Sequence, residues 1–288
     1  MGFWGYLESP ASHQSSAHFE DCHYERSDSK DMLFSAHDAA KRPSRKLNPM
    51  PVPFDWRGFD AYLFDIDGTL ANTRGGVHFH SFHAALREIY GCEGRVDCVP
   101  VHGNTDIGIL RAALEHHASI PDDFEARLPA ARALMCAEVE RNADAMKVEI
   151  CPGIHELLAL LRGEGKLLGV VTGNLEQIGW RKLERGGLRH YFDFGSFSDT
   201  RERREDIFRH GVALARRHRG EQTTICFVGD TPADIRAAAT LGMPVIAVAT
   251  GIYSPEELAK ESPALCVRTC EELLQMPRSA APEGARTK

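Results

Sequence analysis

Three clusters far apart in the 288-residue chain each follow an apolar run; two carry carboxylates able to bind a hard cation and transfer a proton, and the third carries a hydroxyl and an amide. The first is Asp65-Ile66-Asp67-Gly68-Thr69-Leu70, and the others are Gly229-Asp230-Thr231-Pro232-Ala233-Asp234 and the hydroxyl-bearing Val170-Val171-Thr172-Gly173-Asn174. Two carboxylates two residues apart at a strand end are costly unless a cation or a proton compensates them. Asp230 adds a third acid, and three carboxylates with no neutralising base form the ligand chemistry of a hard, oxygen-seeking ion such as Mg²⁺. Asp234 falls in the first turn of a helix opened by Pro232, where a carboxylate is also favoured by the helix dipole. Thr172 offers a hydroxyl donor, and Gly173 lets the backbone come close to an anion held at the start of the next helix, with Asn174 beside it. The stretch Asp199-Thr200-Arg201-Glu202-Arg203-Arg204-Glu205 supplies cations; it reads first as a solvated helix start, yet a phosphoryl group near three carboxylates needs a positive group besides the metal. A calcium loop is excluded, because the sixth and twelfth positions counted from Asp65 are Leu70 and Gly76 where that loop needs Gly and Glu.

The elements that must position these groups alternate. Ala61-Tyr62-Leu63-Phe64-Asp65-Ile66, Leu167–Val171, Thr224–Val228 and Val245–Val248 are short apolar runs of the kind buried on both faces. Amphipathic helical spacing lies between them over His155–Arg162, Gln177–Arg185, Asp206–Arg217 and Asp234–Leu241. The fold class expected is α/β, a doubly wound parallel-sheet Rossmann-like core. From about Thr73 to Val148 the spacing is helical throughout, with no strand signal: Phe82, Leu86 and Ile89 share a face, as do Ile107, Leu110 and Leu114, and Phe124, Leu128, Ala131, Met135 and Val139. An α-helical cap inserted after the first strand is expected there, hinged at Gly75-Gly76 and at Cys151-Pro152-Gly153. The domain boundaries are thus a disordered extension over 1–55, a core over 56–72 and 149–276, a cap over 73–148 and a disordered tail over 277–288.

Composition narrows the function classes. Lys and Arg number 34 against 41 Asp and Glu, a formal net charge of −7, so no global basic field draws nucleic acid or anionic lipid. No run of about 18 apolar residues could span a membrane. The eight cysteines form no CxxC, which favours idle thiols in a reducing cytoplasm over a disulfide or zinc framework. The first fifty residues hold seven acidic and six basic side chains with few apolar ones; His13, His18 and His23 read as part of a solvated tail, and Met50 is a second candidate start. His78, His80 and His83 do not share a helical face, since positions 78 and 80 lie about 200° apart, so they read as lid-rim histidines. Gly103-Asn104-Thr105-Asp106 reads as a helix N-cap, and Lys182 as a structural residue of its helix.

Taken in order, these clusters resemble the haloacid dehalogenase-like superfamily. Asp65-x-Asp67-Gly68-Thr69 is similar to its first motif, Thr172 in Val-Val-Thr-Gly-Asn to its second, a basic residue near Arg203 to its third and Gly229-Asp230-x3-Asp234 to its fourth. Lys182-Leu183-Glu184 through Tyr191-Phe192-Asp193, and Ser254-Pro255-Glu256-Glu257-Leu258, further resemble phosphoglycolate phosphatase-like members with a helical cap. The resemblance implies a phosphoric monoester hydrolase in which Asp65 attacks phosphorus and carries an aspartyl-phosphate, and Asp67 protonates the leaving alcohol and then activates water. It implies Mg²⁺ held by Asp65, the Asp67 backbone carbonyl and Asp230, with Asp234 supporting the metal site from behind. Thr172, Gly173, Asn174 and a basic residue would bind the phosphoryl oxygens. Where many relatives have a lysine this chain has Arg203 or Arg204, and Arg203 is the one expected. The implied partner is a small phosphorylated metabolite, and neither nucleic acid nor membrane. A sugar-phosphate mutase and an idle binding protein on the same fold are the alternatives.

Overall fold

The computed structural model describes residues 54–117 and 119–277. The disorder expected of the N-terminal extension and of the C-terminal tail concerns residues outside that range, apart from the ends of each segment. Six parallel strands form one sheet: β1 (Ala61–Phe64), β4 (Leu167–Val171), β5 (Phe194–Ser196), β6 (Ile225–Gly229), β7 (Val245–Val248) and β8 (Leu265–Val267), in the order β5-β4-β1-β6-β7-β8. The registers pair Phe64 with both Val170 and Val228, so β4, β1 and β6 end together. That common edge is where the chain's functional loops emerge.

Successive residues of a strand point to opposite faces, and β1 uses both. Tyr62 and Phe64 join Leu168, Val170, Cys226 and Val228 in one core, packed against α4 (Ile154–Gly163) and α9 (Cys270–Gln275). Ala61 and Leu63 join Leu167, Val171 and Phe227 in the other, against α6 (Arg204–Arg219) and α7 (Pro232–Thr240). A strand buried on both sides must be apolar throughout, which is why these runs are continuous rather than alternating. The remaining helix alongside the sheet is α5 (Glu176–Arg185), and α8 (Pro255–Ala259) packs near β8.

Between β1 and α4 the chain leaves the sheet and builds a second core. Helices α1 (Val77–Tyr90), α2 (Asp106–His117) and α3 (Phe124–Arg141) bury Phe82, Leu86, Ile107, Leu110, Leu114, Phe124, Ala131, Met135 and Val139 together. Those are the residues whose spacing predicts shared faces. The absence of strand at the ends of this interval is corrected: β2 (Ala71–Arg74) and β3 (Lys147–Ile150) pair antiparallel, Ala71 opposite Ile150 and Arg74 opposite Lys147. The two strands tie the entrance of the insertion to its exit beside the left-handed glycines Gly75 and Gly76. Four half-exposed residues each give no apolar run to read.

Leu63 is fully buried at the centre of the sheet. Leu63→Ala is expected to lower unfolding free energy by about 2–5 kcal/mol, read as a reduced denaturant midpoint with unchanged slope.

Candidate active site

The parallel register brings distant sequence segments to one place. Asp65 follows β1 directly, and its N–H still donates to Val228 O (3.0 Å); Thr172 follows β4, its N–H donating to Ser196 O (3.1 Å). Asp230 follows β6. After Asp67 the chain turns sharply at Gly68, whose φ is +84°, and a Cβ there would lie 2.2 Å from Asp230 Oδ2, so only glycine lets this turn pass the carboxylate. The next residue, Thr69, is buried and donates its hydroxyl to Asp230 Oδ1 (2.9 Å).

Asp65, Asp230 and Asp234 are buried, and one carboxylate oxygen of each lies within 4.8 Å of the others. The buried cation among them is Arg204, at the first position of α6: Nη2 donates to Asp65 Oδ2 and to Asp234 Oδ1, both at 2.6 Å, and Nε donates to Asp234 Oδ1 at 2.8 Å. Three carboxylates against one guanidinium leave a formal charge of −2 on oxygen donors only, the environment that suits a hard divalent ion. Burial, then repulsion from Asp234 and Asp67, outweighs Arg204 and pushes the Asp65 carboxyl up to about 6. Burial and the same crowding raise Asp230 well above the ordinary carboxylate range. For Arg204, burial is overcome by Asp234 and Asp65, and its guanidinium is held more firmly protonated than usual.

Asp234 has both oxygens committed. Oδ1 takes Arg204, while Oδ2 accepts from Thr231 N–H (3.0 Å) and Thr231 Oγ (2.6 Å) in a reciprocal cap of α7. It holds Arg204 and the helix start in place, which leaves Asp65 and Asp230 as the carboxylates of this group that could hold a metal.

Asp67 meets a different partner. Lys182 Nζ, 2% exposed on the inner face of α5, donates to both Asp67 oxygens (2.6 and 2.8 Å) and to Asn174 Oδ1 (2.7 Å). Asn174 Nδ2 donates onward to Asp67 Oδ2 (2.8 Å) and Thr172 Oγ (2.7 Å). Burial alone would raise Asp67, but the Lys182 ammonium, with smaller help from His78 and Asn174, holds its carboxyl below the ordinary value. Its side chain still keeps 43% exposure, open to the cavity above.

That cavity, about 260 Å³, has Asp65, Asp67, Thr172, Lys182, Arg204 and Asp230 in its lining and α1 and α2 across from them. The helices are seated by specific bonds. Asp106 N–H donates to Gly173 O (2.8 Å), and Asp106 Oδ2 accepts from Leu175 N–H (2.8 Å) and meets His78 Nε2 at 3.1 Å. Thr105 Oγ donates to Glu202 O (2.7 Å), and Arg111 grips the Glu202 carboxylate through Nε (2.7 Å) and Nη2 (2.8 Å). A Cβ on Gly173 would sit 2.3 Å from Asn104 O, so glycine here serves contact with the insertion.

Asp65, Asp67, Thr172, Gly173, Asn174, Asp230 and Asp234 thus converge as expected. Arg203 does not: it caps α6 with its side chain 75% exposed, nearest Glu205 (3.5 Å), and the neighbouring Arg204 occupies the site. The signal lay in the period of α6, where Arg204 stands on the face of Ile207, Phe208, Gly211 and Ala215 while Arg203 stands off it. Lys182, expected to be structural, is likewise on the buried face of α5 with Ile178, Gly179 and Leu183. Of His78, His80 and His83, His78 reaches the cavity, while His83 accepts from Val96 N–H (3.3 Å) and His80 is exposed.

The sequence model of the haloacid dehalogenase-like hydrolases matches residues 62–248. A Dickeya dadantii protein named probable phosphatase IndB is 29% identical over 217 residues, covering 74% of this chain and 90% of its own. A phosphoglycolate phosphatase of Mesorhizobium japonicum is 29% identical over 241 residues, covering 74% of this chain and 96% of its own. The crystal structure of CbbY from Rhodobacter sphaeroides in complex with phosphate shares the fold, with a TM-score of 0.56 at 20% identity over 75% of this chain and 96% of that one. Matching well over half of the residues, including every acidic cluster described above, the chain belongs to the haloacid dehalogenase-like hydrolases.

Proposed function

We propose that this hydrolase is a Mg²⁺-dependent phosphatase that cleaves a small phosphate monoester through an aspartyl-phosphate on Asp65, with the helical insertion serving as its cap. The observation that carries the reading is the uncompensated charge at the cavity floor: Asp65 and Asp230 beside a single guanidinium already shared with Asp234. The phosphatase names of the relatives accord with it, and favour neither a mutase nor an idle binding protein. Unpaired cysteines throughout the described residues support the expected cytoplasmic setting.

Asp65, Asp230 and the Asp67 carbonyl would hold Mg²⁺, which when bound would offset the charge of the floor and polarise the phosphoryl group. The chain's own groups then act in order. Arg204 holds the Asp65 carboxylate by Oδ2 and so fixes the direction of its attack on phosphorus. As the Asp65 O–P bond forms and the ester P–O bond breaks, the leaving oxygen takes a proton from Asp67. Thr172, the Gly173–Asn174 backbone and Lys182 lie where they can carry phosphoryl oxygens. Asp67, now a carboxylate held by Lys182, removes a proton from the water that attacks the acyl-phosphate, returning Asp65 and inorganic phosphate.

Asp65→Asn is expected to lower phosphate release from an aryl phosphate by at least about 10³-fold with folding intact; activity within tenfold of the parent would exclude Asp65 as nucleophile. Lys182→Met removes the cation that holds Asp67 low, so the alkaline limb of the pH–rate profile, along which Asp67 loses the proton it must donate, is expected to move to higher pH, and kcat to fall by about 10²-fold with the loss of a cation for the phosphoryl oxygens. An unmoved limb would assign Lys182 to packing.

The metal-free fold carries a sign of its own. With Asp65 raised from 3.8 to about 6 and Asp230 also raised, the native state keeps protons that the unfolded chain has lost. These groups therefore stabilise fully below pH 3.8; the contribution of Asp65 is lost as pH rises through about 6, and that of Asp230 as pH rises through its own raised value. Mg²⁺ is expected to raise Tm more at pH 8 than at pH 5, where it must displace protons, and Asp230→Asn to abolish most of the rise. Scanning calorimetry with and without Mg²⁺ checks both.

A further inference from the structure

The two walls of the cavity differ in kind. Its floor is made of the charged groups already described. The opposite wall, where the alcohol of a phosphate ester would lie, is formed by Phe79, Phe82, Val101 and Ile109 with the His78–Asp106 pair set among them. Phe82, Ile109 and Asp106 are buried, and the His78 ring lies 5.0 Å from that of Phe82, tilted by 31°. Asp106 brings a carboxylate to this wall, and its Oδ2 is fixed by Leu175 N–H as well as by His78. Among the described residues the cavity's lysine and arginine are Lys182 and Arg204, and both are bound to the carboxylates of the floor. His102 stands exposed at the mouth.

Resting on the phosphatase reading, we infer that the wall formed by α1, α2 and the loop before α2 selects an ester whose alcohol is uncharged, with an apolar face and hydroxyl hydrogen for Asp106, and rejects one that bears a carboxylate or a second phosphate. The warrant is electrostatic. A second anion on the leaving group would give up its hydration for a wall of aromatic and aliphatic carbon and would face the Asp106 carboxylate at short range. The floor cannot help it, because moving Lys182 or Arg204 toward the wall would strip Asp67 or Asp65 of its counter-charge. An uncharged alcohol loses less on entering and can donate to Asp106. The volume, about 260 Å³, is at the lower edge of the range of roughly 300–1,000 Å³ usual for ligand pockets. It suits a short-chain or single-ring alcohol alongside the phosphoryl group.

Three esters of nearly equal size separate the charges: 2-phosphoglycolate carries an extra carboxylate, 2-hydroxyethyl phosphate an uncharged hydroxyl, and O-phosphoethanolamine an ammonium. In Mg²⁺ buffer, kcat/KM of the wild-type enzyme for the uncharged ester is expected to exceed that for 2-phosphoglycolate by at least about tenfold, with the ammonium ester in between. Equal or better use of 2-phosphoglycolate, or preference for the ammonium ester, overturns the inference. Calorimetric titration of Asp65→Asn with the same three esters reads the preference without turnover. Tenfold tighter binding of the uncharged ester supports the inference even if the wild-type chain hydrolyses none of them, a result that would count against the phosphatase reading alone. Binding that ignores the charge, or favours 2-phosphoglycolate, overturns it. Val101→Arg, at a half-buried position of the wall, is expected to raise kcat/KM for 2-phosphoglycolate relative to 2-hydroxyethyl phosphate at least fivefold; an unchanged ratio overturns the assignment of selection to this wall.

Discussion

Everything at the sheet edge follows from concentrating negative charge where water is scarce. Asp65, Asp67, Asp230 and Asp234 contribute four carboxylates, and Arg204 and Lys182 two cations, leaving −2 in a largely buried cluster. Buried ion pairs recover their desolvation cost only with good geometry and further hydrogen bonds. The chain supplies these one by one: Thr69 to Asp230, Thr231 to Asp234, Asn174 to Asp67. What they leave over equals the charge of one divalent ion. The fold is thus tuned to a state in which that charge is met, and a parallel sheet is how strands from three parts of the chain deliver their terminal residues to the same few ångströms.

The insertion belongs to the same arrangement. Its hydrophobic core takes in Leu175 and Ile178 at the start of α5, and the polar residues that seat it are bonded to neighbours of the site residues: Asp106 bonds Gly173 and Leu175, on either side of Asn174, and Thr105 and Arg111 bond Glu202, two residues before Arg204. Contact with the insertion and placement of Asn174 and Arg204 are therefore coupled through short backbone segments. Asp106 joins both functions, since one oxygen fixes the start of α5 while meeting the histidine of the cavity wall. A change at Asp106 would be felt in seating and in recognition together.

How much was legible in the sequence follows from side-chain length and strand length. Asp65, Thr172 and Asp230 are short groups in loops after continuous apolar runs, so their type and place in the pattern already say where they point. Arg204 and Lys182 are long cations on helices, where a charge is read by default as solvated. Their burial could be seen only by counting around the helix, and Arg203 satisfied the simpler criterion of a cation ahead of the helix. The three-residue strands β5 and β8 and the half-exposed pair β2 and β3 escaped because each is too short to establish a period. The pairing of His78 with Asp106 joins α1 to the first turn of α2 across a tertiary contact, which no local pattern encodes.

The resting site leans against the reaction proposed for it. Attack on phosphorus needs Asp65 as an anion, and protonation of the alcohol needs Asp67 as an acid; burial raises the first carboxyl and Lys182 lowers the second. Environments that push two acids apart usually identify their roles, and the protein's own groups alone push these two the opposite way. Charge that arrives with the ligands is of the right sign to turn both. A divalent cation beside Asp65 favours its ionised form. A phosphoryl anion near Lys182 would compete for the ammonium that now serves Asp67, and a carboxylate that loses its counter-charge beside other carboxylates takes up a proton more readily. In the proposed mechanism the Lys182–Asp67 bond would make acid catalysis conditional on an occupied site, so that the proton would be delivered only when there is a leaving oxygen to receive it.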